Sequence, residues 1–246
     1  MNPNHQGPTK FLLNTSNIEV KLLSKTNKHW FCGGPRSMAA AVNLLLNGEV
    51  IALPTDTIYG FAALAQNQDA IEKLYKIKKR DESKPLAICV YSIKDVHNWG
   101  VVDTLPTRFL EDLLPGPVTV VLKRTANLNP GLNPGIDNVG IRVPNSKFIR
   151  NVVKMINQPL ALTSANESNK PSSLHPKEFE ELWPQLGGIF YPIQDEHVKR
   201  DSKRVGSTVV DLSIYGKFKI LRPGVAHKSV VGALKNRQWV QEEDSQ

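Results

Sequence analysis

The sequence predicts one α/β domain built on a twisted, mixed β-sheet with flanking helices. Three observations predict it. Apolar residues recur at helical spacing in some segments and in short continuous runs in others, and the two kinds alternate along the chain. The 246 residues suffice for one large domain, and 40% are hydrophobic against 22% charged, the balance of a globular chain. From Arg36 onward no repeat or clear linker interrupts the alternation.

Residues 1–30 are polar, lack arginine and show no period, so they are read as a disordered segment preceding a domain at 31–238. "RSMAAAVNLLLNG" then sets Met38, Ala41, Val42 and Leu45 at helical spacing, with Gly48 as its stop. "EVIALP" reads as a short buried strand. "AIEKLYKIKKR" reads as a helix with Asp69 as its N-cap and Ile71, Leu74, Tyr75 and Lys78 on one stripe. "PLAICVY" is a strand, and "LPTRFLEDLLPG" a helix with Phe109, Leu110, Leu113 and Leu114 inward. "PVTVVLKR", "NVGIRVP" and "QPLALTSAN" read as strands, the last preceded by the helix "SKFIRNVVKMIN". A short helix "PKEFEELW", the strands "STVVDLS" and "FKILRPG", and a helix over 230–236 close the domain. Residues 239–246 are read as a flexible tail.

Composition removes several classes. No apolar run approaches the roughly 20 residues of a membrane helix, so no transmembrane segment is expected. Cys32 and Cys89 are far apart and no histidine lies at ligand spacing from another, so neither a disulfide framework nor a metal-ligand set is expected. GxxxxGK[ST], GxGxxG, GxSxG and HExxH are all missing from the sequence. The net charge of +8 suits polyanionic partners or a solubilising surface, and does not choose between them.

Polar residues instead gather at the ends of predicted strands, where open α/β sheets hold their ligands. "LPTDTIYGFAA", from Leu53, leaves its strand through Thr55, Asp56 and Thr57; taken alone it reads more readily as a turn than as a site. Lys78, Lys79, Arg80 and Lys84 are four cations within seven residues, fit for a triphosphate or for a helix C-terminus. Lys78 continues an apolar stripe, so its ammonium either snorkels out or enters a cleft. Ser164 and Asn166 follow a strand and suit either a cap or a ligand. Ser207 opens a strand, and Arg222 stands at the end of the next one, held by a Pro-Gly turn. Arg142 is a lone cation in an apolar strand, which needs an anion from the protein or from a ligand.

In their order, "LPTDTIYGF", "KKRDESKPLAI", "LLPGPVTVVL", "VGIRVP", "PLALTSAN", "GSTVVDL" and "LRPG" closely resemble the YrdC-like family of L-threonylcarbamoyladenylate synthases, over about 190 residues. The resemblance implies one α/β domain around a large basic cavity. It implies synthesis of threonylcarbamoyl-AMP from L-threonine, bicarbonate and ATP with release of pyrophosphate, and Mg²⁺ accompanying the nucleotide. A threonylcarbamoyl transferase complex would then modify the tRNA adenosine beside the anticodon.

The family pairs a K-x-R element with an S-x-N element, here Lys78 and Arg80 with Ser164 and Asn166, which carries the catalytic role over to these four. The amino-acid side would comprise Thr55 or Thr57, Arg142, Ser164 and Ser207. The nucleotide side would comprise Lys78, Arg80, Lys84, Asn138, Asn166 and Arg222. Cys89 departs from the family, many of whose members have histidine there. Larger members carry an additional C-terminal domain, and this chain is expected to work without one. The alternative from another class is a non-catalytic protein that binds tRNA or double-stranded RNA in the same cavity. A third is a carbamoyl-transfer module. A cytoplasmic location with a mitochondrial fraction is expected.

Overall fold

The computed structural model describes residues 28–79, 84–168, 170–193 and 204–242. The expectation for residues 1–27 therefore lies outside the described residues, as do Arg80 and residues 243–246. Among the described residues eleven strands form one sheet in the order β1-β8-β2-β3-β7-β4-β6-β5-β9-β10-β11. The strands are β1 (His29–Phe31), β2 (Ile51–Pro54), β3 (Tyr59–Leu64), β4 (Ala87–Cys89), β5 (Val118–Lys123), β6 (Asn138–Arg142), β7 (Leu160–Ser164), β8 (Gly188–Tyr191), β9 (Thr208–Asp211), β10 (Lys217–Arg222) and β11 (Val240–Gln241). Parallel and antiparallel pairs mix, so the expected mixed sheet is observed.

Four α-helices flank it among the described residues. Helix α1 (Gly34–Leu46) has proline in its first turn and is followed by Gly48 at φ 75°. Its buried face, Ser37, Ala40, Ala41, Leu44 and Leu45, is small enough to lie close to its neighbours. Helix α2 (Gln68–Lys78) is capped by Asn67, whose side chain accepts from Ala70 N at 3.1 Å, and it ends at left-handed Lys79. The expected cap, Asp69, stands instead in the first turn, where its charge still favours the helix dipole. Helix α3 (Lys147–Ile156) packs on α1 and is capped by Ser146, and α4 (His227–Asn236) lies near the C-terminal edge of the sheet.

Other expectations change. β1, β3, β8 and β11 are not among the expected strands; β3 follows β2 as a hairpin, and its "YGFAAL" holds three small residues, Gly60, Ala62 and Ala63, that weaken the strand signal. The expected helices "LPTRFLEDLLPG" and "PKEFEELW" are 3₁₀ segments, Phe109–Asp112 and Pro176–Gln185, bounded or broken by prolines. Phe109, Leu110, Leu113 and Leu114 are nonetheless all buried. The boundaries move outward at both ends. β1 begins two residues before position 31, and β11 pairs with β10 while Trp239 packs on Phe109, so residues 239–241 belong to the domain rather than to a tail.

Strand register assigns the faces. Phe61, Ala161, Ile88, Ile141, Val120 and Val210 share one face, and all belong to the larger core. Ala62, Leu162, Leu160 and Cys89 point the other way, into a smaller core made with α1 and α3. Those two helices cover that face over the side chains of Ile51, Leu53, Ala62, Leu160, Leu162 and Cys89. Beyond them the same face carries Gly60, Ala87, Gly140, Thr119, Val121, Val209 and Asp211. It is left as a hollow.

Candidate active site

That hollow is a cavity of about 400 Å³, within the range of small-molecule sites. Gly60, Ala87 and Gly140 lie along its floor. A Cβ at Gly60 would stand 2.8 Å from Leu162 Cδ1 and 3.2 Å from Thr163 O, and one at Gly140 would meet Thr119 Cγ2 at 3.0 Å. Side chains at these positions would crowd the cavity as well as the strands.

One wall is the β2–β3 turn. Thr55 Oγ1 accepts from Thr57 N (3.0 Å) and donates to Ile58 O (2.7 Å), and it lies 3.1 Å from Thr57 Oγ1. Since the Thr55 proton goes to Ile58 O, the hydroxyl contact is Thr57 donating to Thr55. Thr55 is then saturated. Thr57 Oγ1 accepts from Arg142 Nη2 at 3.2 Å and keeps one lone pair for another donor. Both threonines line the cavity.

Arg142 finds its anion in the protein. Its Nη2 pairs with Asp56 Oδ1, and both side chains are buried. Asp56 Oδ2 also accepts from Asn145 N at 3.0 Å. The ion pair satisfies the electrostatic demand of a buried guanidinium. Arg142 Nε remains, buried and without a hydrogen-bond partner among the described residues. Arg142 thus offers a directed donor more than a bare charge.

Lys78 is 1% exposed, and its ammonium donates to Ser164 O (2.6 Å), Asn166 O (2.5 Å) and Ser164 Oγ (3.4 Å). The K-x-R and S-x-N elements are therefore physically joined through Lys78. Among the described residues Ser164 lines the cavity, whereas Lys78 and Asn166 do not. Asn166 Nδ2 donates to Glu167 O (2.7 Å) and Lys170 O (2.8 Å), and its Oδ1 is buried without a partner. Asn166 faces a second hollow of about 240 Å³ with Ser173 and Phe179. Glu167, on that loop, is held below its usual carboxylate range first by Lys79 and then by Lys170.

A further part of the lining is Ser207 and Arg222. Arg222 donates to Ser207 O from Nη2 (3.0 Å) and Nε (3.3 Å), and to Ser207 Oγ at 3.2 Å. This wall depends on Gly224, where a Cβ would fall 2.3 Å from Thr208 N and 2.4 Å from Ser207 C. Asn138, at the start of β6, lines the cavity half-buried. Lys84 is exposed beside Pro85, which also lines it. Cys89 pairs in register with Arg142 but is fully buried, and burial pushes its thiol up to about 12.

Sequence reasoning missed Thr119 and Asp211, which also line the cavity, and left Asp56 out of the site. Thr119 carried the same signal as Arg142, a polar residue alone in an apolar strand.

Fold and site together define an α/β protein with a small-molecule-sized cavity on one sheet face, lined by hydroxyls and two guanidiniums. The family model described as Telomere recombination, for Sua5, YciO and YrdC proteins, matches residues 43–224, and the chain belongs to that family. It is 45% identical over 205 residues to the Threonylcarbamoyl-AMP synthase of Homo sapiens, covering 83% of this chain and 73% of the relative. The fold matches P. abyssi Sua5 complexed with L-threonine, with a TM-score of 0.72 and 23% identity, over 87% of this chain and 62% of that one. It also matches E. coli YciO, with a TM-score of 0.69 and 21% identity, over 80% of this chain and 94% of that one.

Proposed function

We propose that this protein makes threonylcarbamoyl-AMP from L-threonine, bicarbonate and ATP, releasing pyrophosphate. One observation carries the reading: a single cavity with a small-residue floor is lined by Thr57, the Asp56-paired Arg142, Ser207 and Arg222. This arrangement stands in a chain 45% identical to a human protein of that name.

The threonine amine condenses with bicarbonate to a carbamate and water. A carbamate oxygen attacks the α-phosphorus of ATP, and pyrophosphate leaves. The difficulty is bringing anions together, which positioning and preorganised donors relieve. Arg142 Nε suits a carboxylate oxygen of threonine, and the open lone pair of Thr57 Oγ1 suits its ammonium before carbamate forms. Arg222, Lys84 and Arg80 belong on the phosphate side. Lys78 holds the carbonyls of 164 and 166 and so shapes the wall that presents Ser164. Asn166 contributes through its main-chain carbonyl, which accepts from Lys78, while its side chain faces the second hollow.

Mg²⁺ is part of the proposal. Among the described residues no group of three or more His, Cys, Asp or Glu could hold a metal, and Asp211 is a single carboxylate on the cavity wall. That donor set fits an ion carried by the nucleotide phosphates, whose charge it would offset. The product would pass to a threonylcarbamoyl transferase complex that modifies tRNA. A cytoplasmic enzyme with a mitochondrial fraction completes the reading; fractionation of the tagged chain, with and without residues 1–30, tests that part.

The central test is incubation with ATP, threonine and bicarbonate. Pyrophosphate release that needs all three, with threonylcarbamoyl-AMP identified by mass, is the expected result. RNA binding without turnover would overturn it.

A further inference from the structure

Ser207 does not act alone. Its Oγ lies 2.8 Å from the Oγ1 of Thr119, a buried residue on the cavity wall 88 positions earlier in the chain. Register explains the meeting: β5 and β9 run parallel with Thr119 opposite Val209, which brings the residue entering β9 beside it. The rotamer of Thr119 is set from its other side. Its methyl fills the space over Gly140, at 3.0 Å from where a Cβ would stand. With the methyl so placed, the hydroxyl turns to Ser207.

The protons can be counted. Two hydroxyls carry two O–H protons, and one hydrogen bond between them uses one. Ser207 Oγ also accepts from Arg222 Nη2 at 3.2 Å, a bond that takes up a lone pair and no hydroxyl proton. Whichever hydroxyl donates to the other, one O–H is left without an acceptor among the described residues. It belongs to a cavity-lining pair. The adjoining guanidinium polarises the pair and strengthens the remaining O–H as a donor.

We propose that Thr119 is a positioning residue for the reaction, which with Ser207 presents one hydroxyl proton to an anionic oxygen of the ligand. The inference rests on the functional reading above. The oxygen has two sources of shared chemistry, the carbamate of the amino acid and the phosphoryl group of the nucleotide. The pair lies beside Arg222, and Thr119 stands on β5, the strand next to that of Arg142, where the two would meet. An unmatched donor there costs little in water and counts when the ligand excludes it.

The test is steady-state kinetics of full-length Thr119→Val, Thr119→Ser and Thr119→Ala, with melting temperatures. Thr119→Val keeps the shape and removes the hydroxyl that orients Ser207, leaving the Ser207 proton undirected; we expect kcat/KM to fall about tenfold to a hundredfold at an unchanged melting temperature. Thr119→Ser keeps the hydroxyl and should stay within a few-fold of wild type. A loss confined to threonine assigns the proton to the carbamate, and a loss confined to ATP assigns it to a phosphoryl oxygen. If Thr119→Val unfolds, the ratio of Thr119→Ser to Thr119→Ala decides: about tenfold supports the role and equality overturns it. Wild-type kinetics in Thr119→Val overturn the role of Thr119 alone. A wild-type chain without threonine-dependent pyrophosphate release overturns the functional reading as well.

Discussion

The ammonium of Lys78 bonds the main-chain carbonyls of Ser164 and Asn166, which lie 86 and 88 residues further along the chain. A lysine that reads as a phosphate ligand in the sequence is the bolt between a helix end and a strand end. Its removal should therefore affect structure and activity together.

For Lys78→Ala we expect two buried carbonyls to lose a charged donor. Stability should drop by about 2–4 kcal/mol in urea titration, alongside loss of threonine-dependent pyrophosphate release. Full activity in the variant would exclude the assignment of Lys78 to the site.

Asp56→Asn should leave the Arg142 charge buried without its counter-ion. The expected cost is about 3–5 kcal/mol. Adding Arg142→Met should recover much of that stability without restoring activity. Denaturation midpoints of the single and double variants check this, and an additive double variant would mean that the pair is not coupled.

The two threonines of the turn should separate. Thr55 has all its hydrogen-bonding capacity in use, so Thr55→Ala should lower the melting temperature. Thr57→Val should chiefly raise the KM for threonine, because only Thr57 keeps an open lone pair. Equal KM values in Thr57→Val and wild type would return the choice to Thr55.

Gly224→Ala should be destabilising by about 1–3 kcal/mol or more, since the new Cβ meets backbone that cannot swing aside. Arg222 and Ser207 would be displaced with it. A thermal melt at wild-type temperature would refute the close approach.

Alkaline pH should weaken the fold through the thiols. Cys32 and Cys89 are raised by burial from 9.0 to about 12, so between these values the unfolded chain releases protons that the folded chain keeps. Their contribution is intact below pH 9 and is lost as pH rises towards 12. Urea midpoints should fall from pH 8.5 to pH 10.5, about in proportion to the protons released. The slope should flatten in Cys32→Ala/Cys89→Ala. An unchanged slope would place the effect elsewhere.

The sequence by itself determined the α/β class, most of the strands, and the stripe that buries Lys78, because these depend on spacing within a dozen residues. It marked Arg142 as a cation in need of an anion and Thr55–Thr57 as a turn at a strand end. Only the tertiary structure decided what each of them meets. Asp56 reaches Arg142 across 86 residues, Thr119 reaches Ser207 across 88, and Gly60 and Gly140 hollow the floor because register puts them on the uncovered face. Local sequence encodes which face a side chain takes. The partner on that face is set by strand order, and strand order depends on burying both sheet faces at once, a property of the whole chain.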